Sequence, residues 1–155
     1  MKIKIKEGNI FNENLNDAML VHCISRDLAM GQGIAKEIDK KFGIKKILSE
    51  PENKDEVDRC ISINNVLFVQ TKKENTLIVN LITKECYYDK PTLETLRLAL
   101  ETFRLYLLSP RNQYNKIFMP KIGTLRDKLD WNDVLRLIRE VFSGMNIEIN
   151  VVDLR

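Results

Sequence analysis

An α/β architecture, one sheet sandwiched between helices, is what this sequence predicts. Strand-like and helix-like apolar patterns interleave along the whole chain, which is the signature of that class. The 155 residues suit a single domain spanning 1–155. A chain of that size buries roughly 68–70% of its unfolded surface without staples. No apolar run is long enough to span a bilayer, and no internal repeat or low-complexity segment interrupts the pattern.

Taken in order, Lys2 to Lys6 alternates lysine with isoleucine and reads as a first strand. An Asn-rich connection leads to a second, Ala18 to Ile24. Ile34, Ile38 and Phe42 recur every fourth residue, giving a short helix that Gly43 stops. Glu50 to Asp58 is strongly polar and reads as a surface loop. "VLFVQTKKENTLIVNLITK" holds two β-rich runs flanking Lys73-Glu74-Asn75, a hairpin-like signal. The second of them, ending at Lys84, is apolar enough for a strand covered on both faces.

Pro91, placed in a first helical turn, opens a long helix along Leu96, Ala99, Leu100, Phe103 and Leu107 that stops before Pro110. Lys116 to Met119 is the next strand. Asp130 caps a further helix, with Leu129 and Val134 as a hydrophobic staple and Val134, Leu137, Ile138 and Val141 as its buried face. Ile147, Ile149 and Val151 alternate as the last strand.

Composition narrows function mainly by exclusion. Lysine plus arginine number 25 against 22 acidic residues, a net +3 that falls short of a clustered nucleic-acid surface. Cys23, Cys60 and Cys86 form no CxxC pair, so neither a disulfide framework nor a zinc site is expected, and the three read as small buried apolar groups. Lacking the continuous apolar core of a signal peptide, the N-terminus points to a soluble cytoplasmic protein, or a nuclear one in a eukaryote. His22, the single histidine, sits in an apolar strand and is assigned no chemistry.

The most informative stretch is "AMGQGIAKEIDKKFG", Ala29 to Gly43, where Gly31 and Gly33 precede a helix. A Gly-x-Gly entry lets an anion reach the helix N-terminal amides without side chains in the way. A dinucleotide fingerprint would need a third glycine at Lys36, and a Walker loop would need Gly-Lys-Ser/Thr, so it is neither. A plain loop is the alternative. Lys84, at the tip of a covered strand, is placed to offer a shielded amine as nucleophile, against the ordinary reading of a solvated lysine.

Together, "HCISRDLAMGQGIAKEIDKKFG", "LITKECYYDKPTLETL" and "MPKIGTLRDKLDW" resemble the macrodomain family. They are most similar to its terminal ADP-ribose protein glycohydrolases and DNA-ADP-ribosyl glycohydrolase antitoxins. The match runs from "EGNIF" to "VVDL", essentially the whole chain. The resemblance implies a three-layer α/β/α fold with a mixed central sheet and a cleft for ADP-ribose at the ends of the central strands. It makes Met30, Gly31, Gln32, Gly33 and Ile34 a first phosphate and distal-ribose loop, entered from Ser25. Pro120, Lys121, Ile122, Gly123, Thr124, Leu125, Arg126 and Asp127 become a second loop facing it. Asn9 and Ile10 would lie at the adenine, with Leu154 packing on the base; ordinary core is the alternative for Ile10 and Leu154.

By the same resemblance Lys84 is the nucleophile and Asp127 the acid and base of an ADP-ribosyl hydrolase. Its substrate would be ADP-ribose on an acidic side chain of a protein or on a nucleobase of DNA, with O-acyl-ADP-ribose as a further possibility. A non-catalytic ADP-ribose reader and an ADP-ribose 1″-phosphate phosphatase are the alternatives. A monomer with no membrane contact, no metal and no cofactor is expected. Three positions depart from the subgroup: Asn9 replaces aspartate, Arg26 stands where an acid is usual, and the second loop lacks its second glycine. That loop is expected to be reshaped if Leu125 takes a positive φ.

Overall fold

In the computed structural model, which describes residues 1–63, 65–124 and 126–154, six strands hydrogen-bond in the order β1-β6-β5-β2-β4-β3. They are β1 (Lys2–Glu7), β2 (Met19–Ser25), β3 (Val66–Gln70), β4 (Leu77–Lys84), β5 (Lys116–Met119) and β6 (Glu148–Asp153). Only β3 and β4 pair antiparallel; every other neighbour pair is parallel. Chain distance explains the exception. β3 and β4 are joined by a short connection in which Glu74 and Asn75 take left-handed φ of 61° and 51°, whereas parallel partners need a crossover.

Among the described residues five helices cover the two faces: α1 (Gly33–Phe42), α2 (Ile44–Ser49), α3 (Lys54–Ile63), α4 (Leu93–Leu108) and α5 (Trp131–Val141). On one face Leu96, Leu100 and Phe103 of α4 and Val134 and Ile138 of α5 join Val79, Ile117 and Ile149 in a single core. On the other, Ile38 and Phe42 of α1, Ile44 of α2 and Cys60 of α3 pack with Leu20, Ile78 and Phe118. Period-2 alternation in the strands divides their side chains between these two cores, and a three-layer α/β/α sandwich results.

The helix ends follow local chemistry. Asp130 caps α5 by accepting the Asp133 amide at 3.2 Å, and Thr92 and Thr95 cap α4 reciprocally at 3.1 and 3.0 Å. Each such cap is worth about 1 kcal/mol. Gly43 ends α1 at φ 67°, where its amide bonds to the Asp39 carbonyl at 2.7 Å.

Three expectations are corrected. Residues 50–58 are not a continuous loop, because a 3-10 turn (Pro51–Asn53) leads into α3. Val57 and Cys60, one helical turn apart and 7% and 8% exposed, give α3 the narrow apolar stripe it needs, and overall polarity hides that spacing. Pro91 lies outside the first turn of α4, since Thr92 is the cap and its side chain ends the connection. Finally, Cys23 and Cys86 are only partly buried; Cys60 alone is buried.

His22 and Asn80, on adjacent central strands, form a buried polar pair. The His22 Nε2–H donates to Asn80 Oδ1 at 2.5 Å, and the Asn80 amide donates to the Leu67 carbonyl at 2.8 Å. Burial, only partly opposed by that Asn80 contact, lowers the His22 pKa from its ordinary 6.5 to about 4, so the ring is neutral at pH 7. Among the described residues, no helix is long and apolar enough to cross a membrane.

Candidate active site

The carboxyl ends of β2 and β4 open into a cleft of about 340 Å3, within the ordinary range of small-molecule sites. One wall is the connection from β2 to α1 with the first turn of that helix, contributing Ser25, Met30, Gly31, Gln32, Gly33 and Ile34. The opposite wall is the connection after β5, contributing Pro120, Lys121, Ile122, Gly123, Thr124 and Arg126. Lys84 and Asp127 line the cleft as well.

Lys84 owes its place to an irregularity in the sheet. Ile24 pairs with Ile82 but Ser25 pairs with Lys84, so Thr83 is an extra residue in β4, and the bulge sets Lys84 at the level of the first loop. Its Nζ donates to Asp127 Oδ1 at 2.7 Å, and both side chains are 14% exposed. Such a pair is a charge-assisted hydrogen bond in partial isolation from water.

The first loop is anchored by a residue that the motif reading passes over. Asp27 Oδ1 accepts from the Ser25 hydroxyl at 2.5 Å and the Ala29 amide at 3.0 Å, and Oδ2 accepts from the Tyr87 amide at 2.9 Å. Burial opposes ionisation of this carboxyl, but the hydroxyl and the two amides outweigh it and hold its pKa below the ordinary value. Asp27 therefore ties the loop to the segment following Lys84. The sequence signal was there: aspartate two residues before an amide in a loop is an Asx-turn pattern. Leu28 and Met30 in this loop take left-handed φ of 59° and 42°, conformations that cost side-chain-bearing residues about 1–2 kcal/mol each.

α1 begins at the cleft with its first amides uncapped: Gln32 is its N-cap residue, yet the Gln32 side chain makes no capping bond. Those amides and the helix dipole favour an anion at this point. The second loop closes on itself, as the Thr124 hydroxyl donates to the Lys121 carbonyl at 2.7 Å and Gly123, at φ 72°, accepts from the Leu129 amide at 2.8 Å. Leu125, expected in this loop, lies outside the described residues. Of the three cationic side chains on the walls, Lys84 pairs with Asp127 and Lys121 pairs with Asp153 at 3.0 Å. Arg126 instead donates to the Gln32 side-chain oxygen.

Comparison with known proteins identifies the family. The model of the Macro domain matches residues 21–138. The chain belongs to the macro domain family. Over 154 residues, 99% of this chain and 92% of each relative, this macro domain is 36% identical to ADP-ribose glycohydrolase OARD1 of Bos taurus and 34% to that of Homo sapiens. In fold it is similar to the macrodomain of Mycobacterium tuberculosis DarG, with a TM-score of 0.76 and 17% identity covering 97% of this chain and 96% of that one. It is also similar to Thermosipho africanus DarTG in complex with ADP-ribose, with a TM-score of 0.79 and 13% identity covering 98% of this chain and 41% of that one.

Within this macro domain, three residues expected at the site stand apart from the cleft lining. Asn9 accepts the Phe11 amide at 3.0 Å and caps a 3-10 turn (Ile10–Asn12). Ile10 is 3% exposed and packs in the core with Phe118 and Val152, while Leu154 is 61% exposed. Tyr87 lines the cleft and Tyr88 does not, although the rings meet edge to face at 5.3 Å. Cys23 also lines it, and burial, then the charge of Asp127, push its thiol up to about 12, which leaves it inert. Trp131, the first residue of α5, carries the Lys121 ammonium 5.6 Å from its ring centroid. Among the described residues no group of three or more His, Cys, Asp or Glu could hold a metal ion.

Proposed function

We propose that this macro domain is an ADP-ribosyl glycohydrolase, binding ADP-ribose in the cleft and releasing it from a modified acidic side chain or nucleobase. The observation that carries the reading is the Lys84–Asp127 contact of 2.7 Å in a cleft between two glycine-containing loops. The names of its relatives, ADP-ribose glycohydrolases at 34% and 36% identity, support the same class. The uncapped amides of α1 suit the diphosphate, and both loops would hold the distal ribose toward Lys84.

In the first step Asp127 accepts a proton from the Lys84 ammonium, and the freed amine forms a bond to the anomeric carbon of the distal ribose. The bond from that carbon to the carboxylate oxygen or base nitrogen breaks, its electron pair leaves with the aglycone, and Asp127 passes its proton to that aglycone, which restores the carboxylate. In the second step Asp127 takes a proton from water, whose oxygen bonds to the anomeric carbon as the Lys84–carbon bond breaks. ADP-ribose is released, and the proton returns to Lys84. Two smaller barriers replace one large one.

The test is release of ADP-ribose from proteins modified on glutamate and from DNA modified on a base, followed for the wild type and for Lys84→Ala. Mass spectrometry of the wild type after brief incubation is expected to show an adduct on Lys84. Unchanged release by Lys84→Ala would sink the assignment, and binding without any release by the wild type would make the protein a reader.

A further inference from the structure

The bridge between Arg126 and Gln32 spans the cleft from one loop to the other, and neither partner is satisfied in the way its chemistry favours. Gln32 is positioned to cap α1 but turns its side chain away, leaving the helix amides open. Arg126 offers a forked cation to a neutral amide oxygen, and among the described residues no carboxylate pairs with it. The other two cations on the walls are already matched by Asp127 and Asp153.

Three further features shape the bridge. Gly33 leaves the space that the Arg126 stem occupies, since a Cβ there would stand 3.1 Å from Arg126 Cδ. The Arg126 carbonyl is held by Lys90 Nζ at 2.9 Å, which fixes the backbone. The side chain itself is exposed and, among the described residues, hydrogen-bonded only through its tip, so its guanidinium can exchange partners without moving the loop.

We infer that Arg126 is a specificity-determining residue for the diphosphate, latched across the cleft by Gln32 and released from it when a diphosphate reaches the N-terminus of α1. The inference rests on the ADP-ribose reading of the cleft and adds to it a residue that selects the ligand by charge. The exchange replaces a bond to a neutral amide by a forked bond to phosphate oxygens, which is the stronger one. Gln32 opposes binding, because a site latched for part of the time shows its intrinsic affinity reduced by the unlatched fraction.

The two variants therefore have effects of opposite sign. In calorimetric titrations with ADP-ribose and with inorganic pyrophosphate, Arg126→Ala is expected to weaken both by about tenfold or more. Gln32→Ala is expected to tighten both by roughly two- to fivefold. Unchanged affinity in Arg126→Ala, or weakening in both variants, overturns the latch. A wild type that binds pyrophosphate through Arg126 but not ADP-ribose keeps the latch and defeats the ADP-ribose reading. ADP-ribose binding indifferent to Arg126 does the reverse, and a wild type that binds neither ligand overturns both.

Discussion

Lys84 Nζ lies 2.7 Å from Asp127 Oδ1, a residue 43 positions further along the chain, and each side chain is 14% exposed. Removing either partner leaves the other charge in a partly dry cleft. Lys84→Met and Asp127→Leu should each cost about 1–3 kcal/mol, and the double variant less than their sum. Urea unfolding of the four proteins measures that coupling. ADP-ribose release should fall by about 10²–10⁴ in Asp127→Asn, which keeps the shape and loses the proton acceptor. A full rate in Asp127→Asn would remove aspartate from the chemistry.

Glycine substitutions should separate backbone strain from crowding. Gly43→Ala meets only the left-handed φ of 67°, with nothing within 4 Å of the new methyl, and should cost about 1 kcal/mol. Gly123→Ala combines a φ of 72° with a Cβ 3.1 Å from Leu129 Cδ1, and Gly33→Ala a φ of 62° with one 3.1 Å from Arg126 Cδ. Both should lose more stability than Gly43→Ala if Leu129 and Arg126 do not give way. Thermal melts rank the three, and only the two cleft variants should lose affinity for ADP-ribose.

Much of this molecule is legible in its sequence because the signals are local. The strands and α1, α4 and α5 follow from apolar spacing, and Asp130 marks its own helix start. α3 is hidden because two apolar residues, Val57 and Cys60, suffice when a strand lies beneath them, and a polar composition masks so sparse a stripe. Register is equally invisible. That Thr83 is the extra residue in β4, and that Lys84 consequently stands beside Ser25, depends on how β2 and β4 align. So does the contact of Arg126 with Gln32, which lie 94 positions apart. Motifs name the walls of the cleft, while pairing decides what crosses it.

Cys23 should resist alkylation. Its thiol, pushed up to about 12 by burial and by Asp127, is almost wholly protonated at pH 8, and only the thiolate reacts. Peptide mass spectrometry after iodoacetamide treatment should find Cys23 unmodified in the folded protein and modified in urea. Asp127→Asn removes one of the two causes and should speed its labelling. Rapid labelling of Cys23 in the folded wild type would contradict this picture of the cleft.

The His22–Asn80 pair gives the fold a pH dependence of defined sign. The unfolded chain takes up a proton on His22 below 6.5, whereas the folded one does so only below about 4. Between those values the unfolded state holds more protons, so stability is complete above about 6.5 and is lost as pH falls. At about 1.4 kcal/mol per pH unit, the loss on going from pH 6.5 to 5 is about 2 kcal/mol. His22→Gln, which cannot titrate, should be less stable at pH 7.5 but should lose that slope. Urea midpoints at pH 7.5, 6 and 5 decide it: equal slopes in the two proteins would mean that acid acts on the carboxylates instead and that His22 is not the sensitive group.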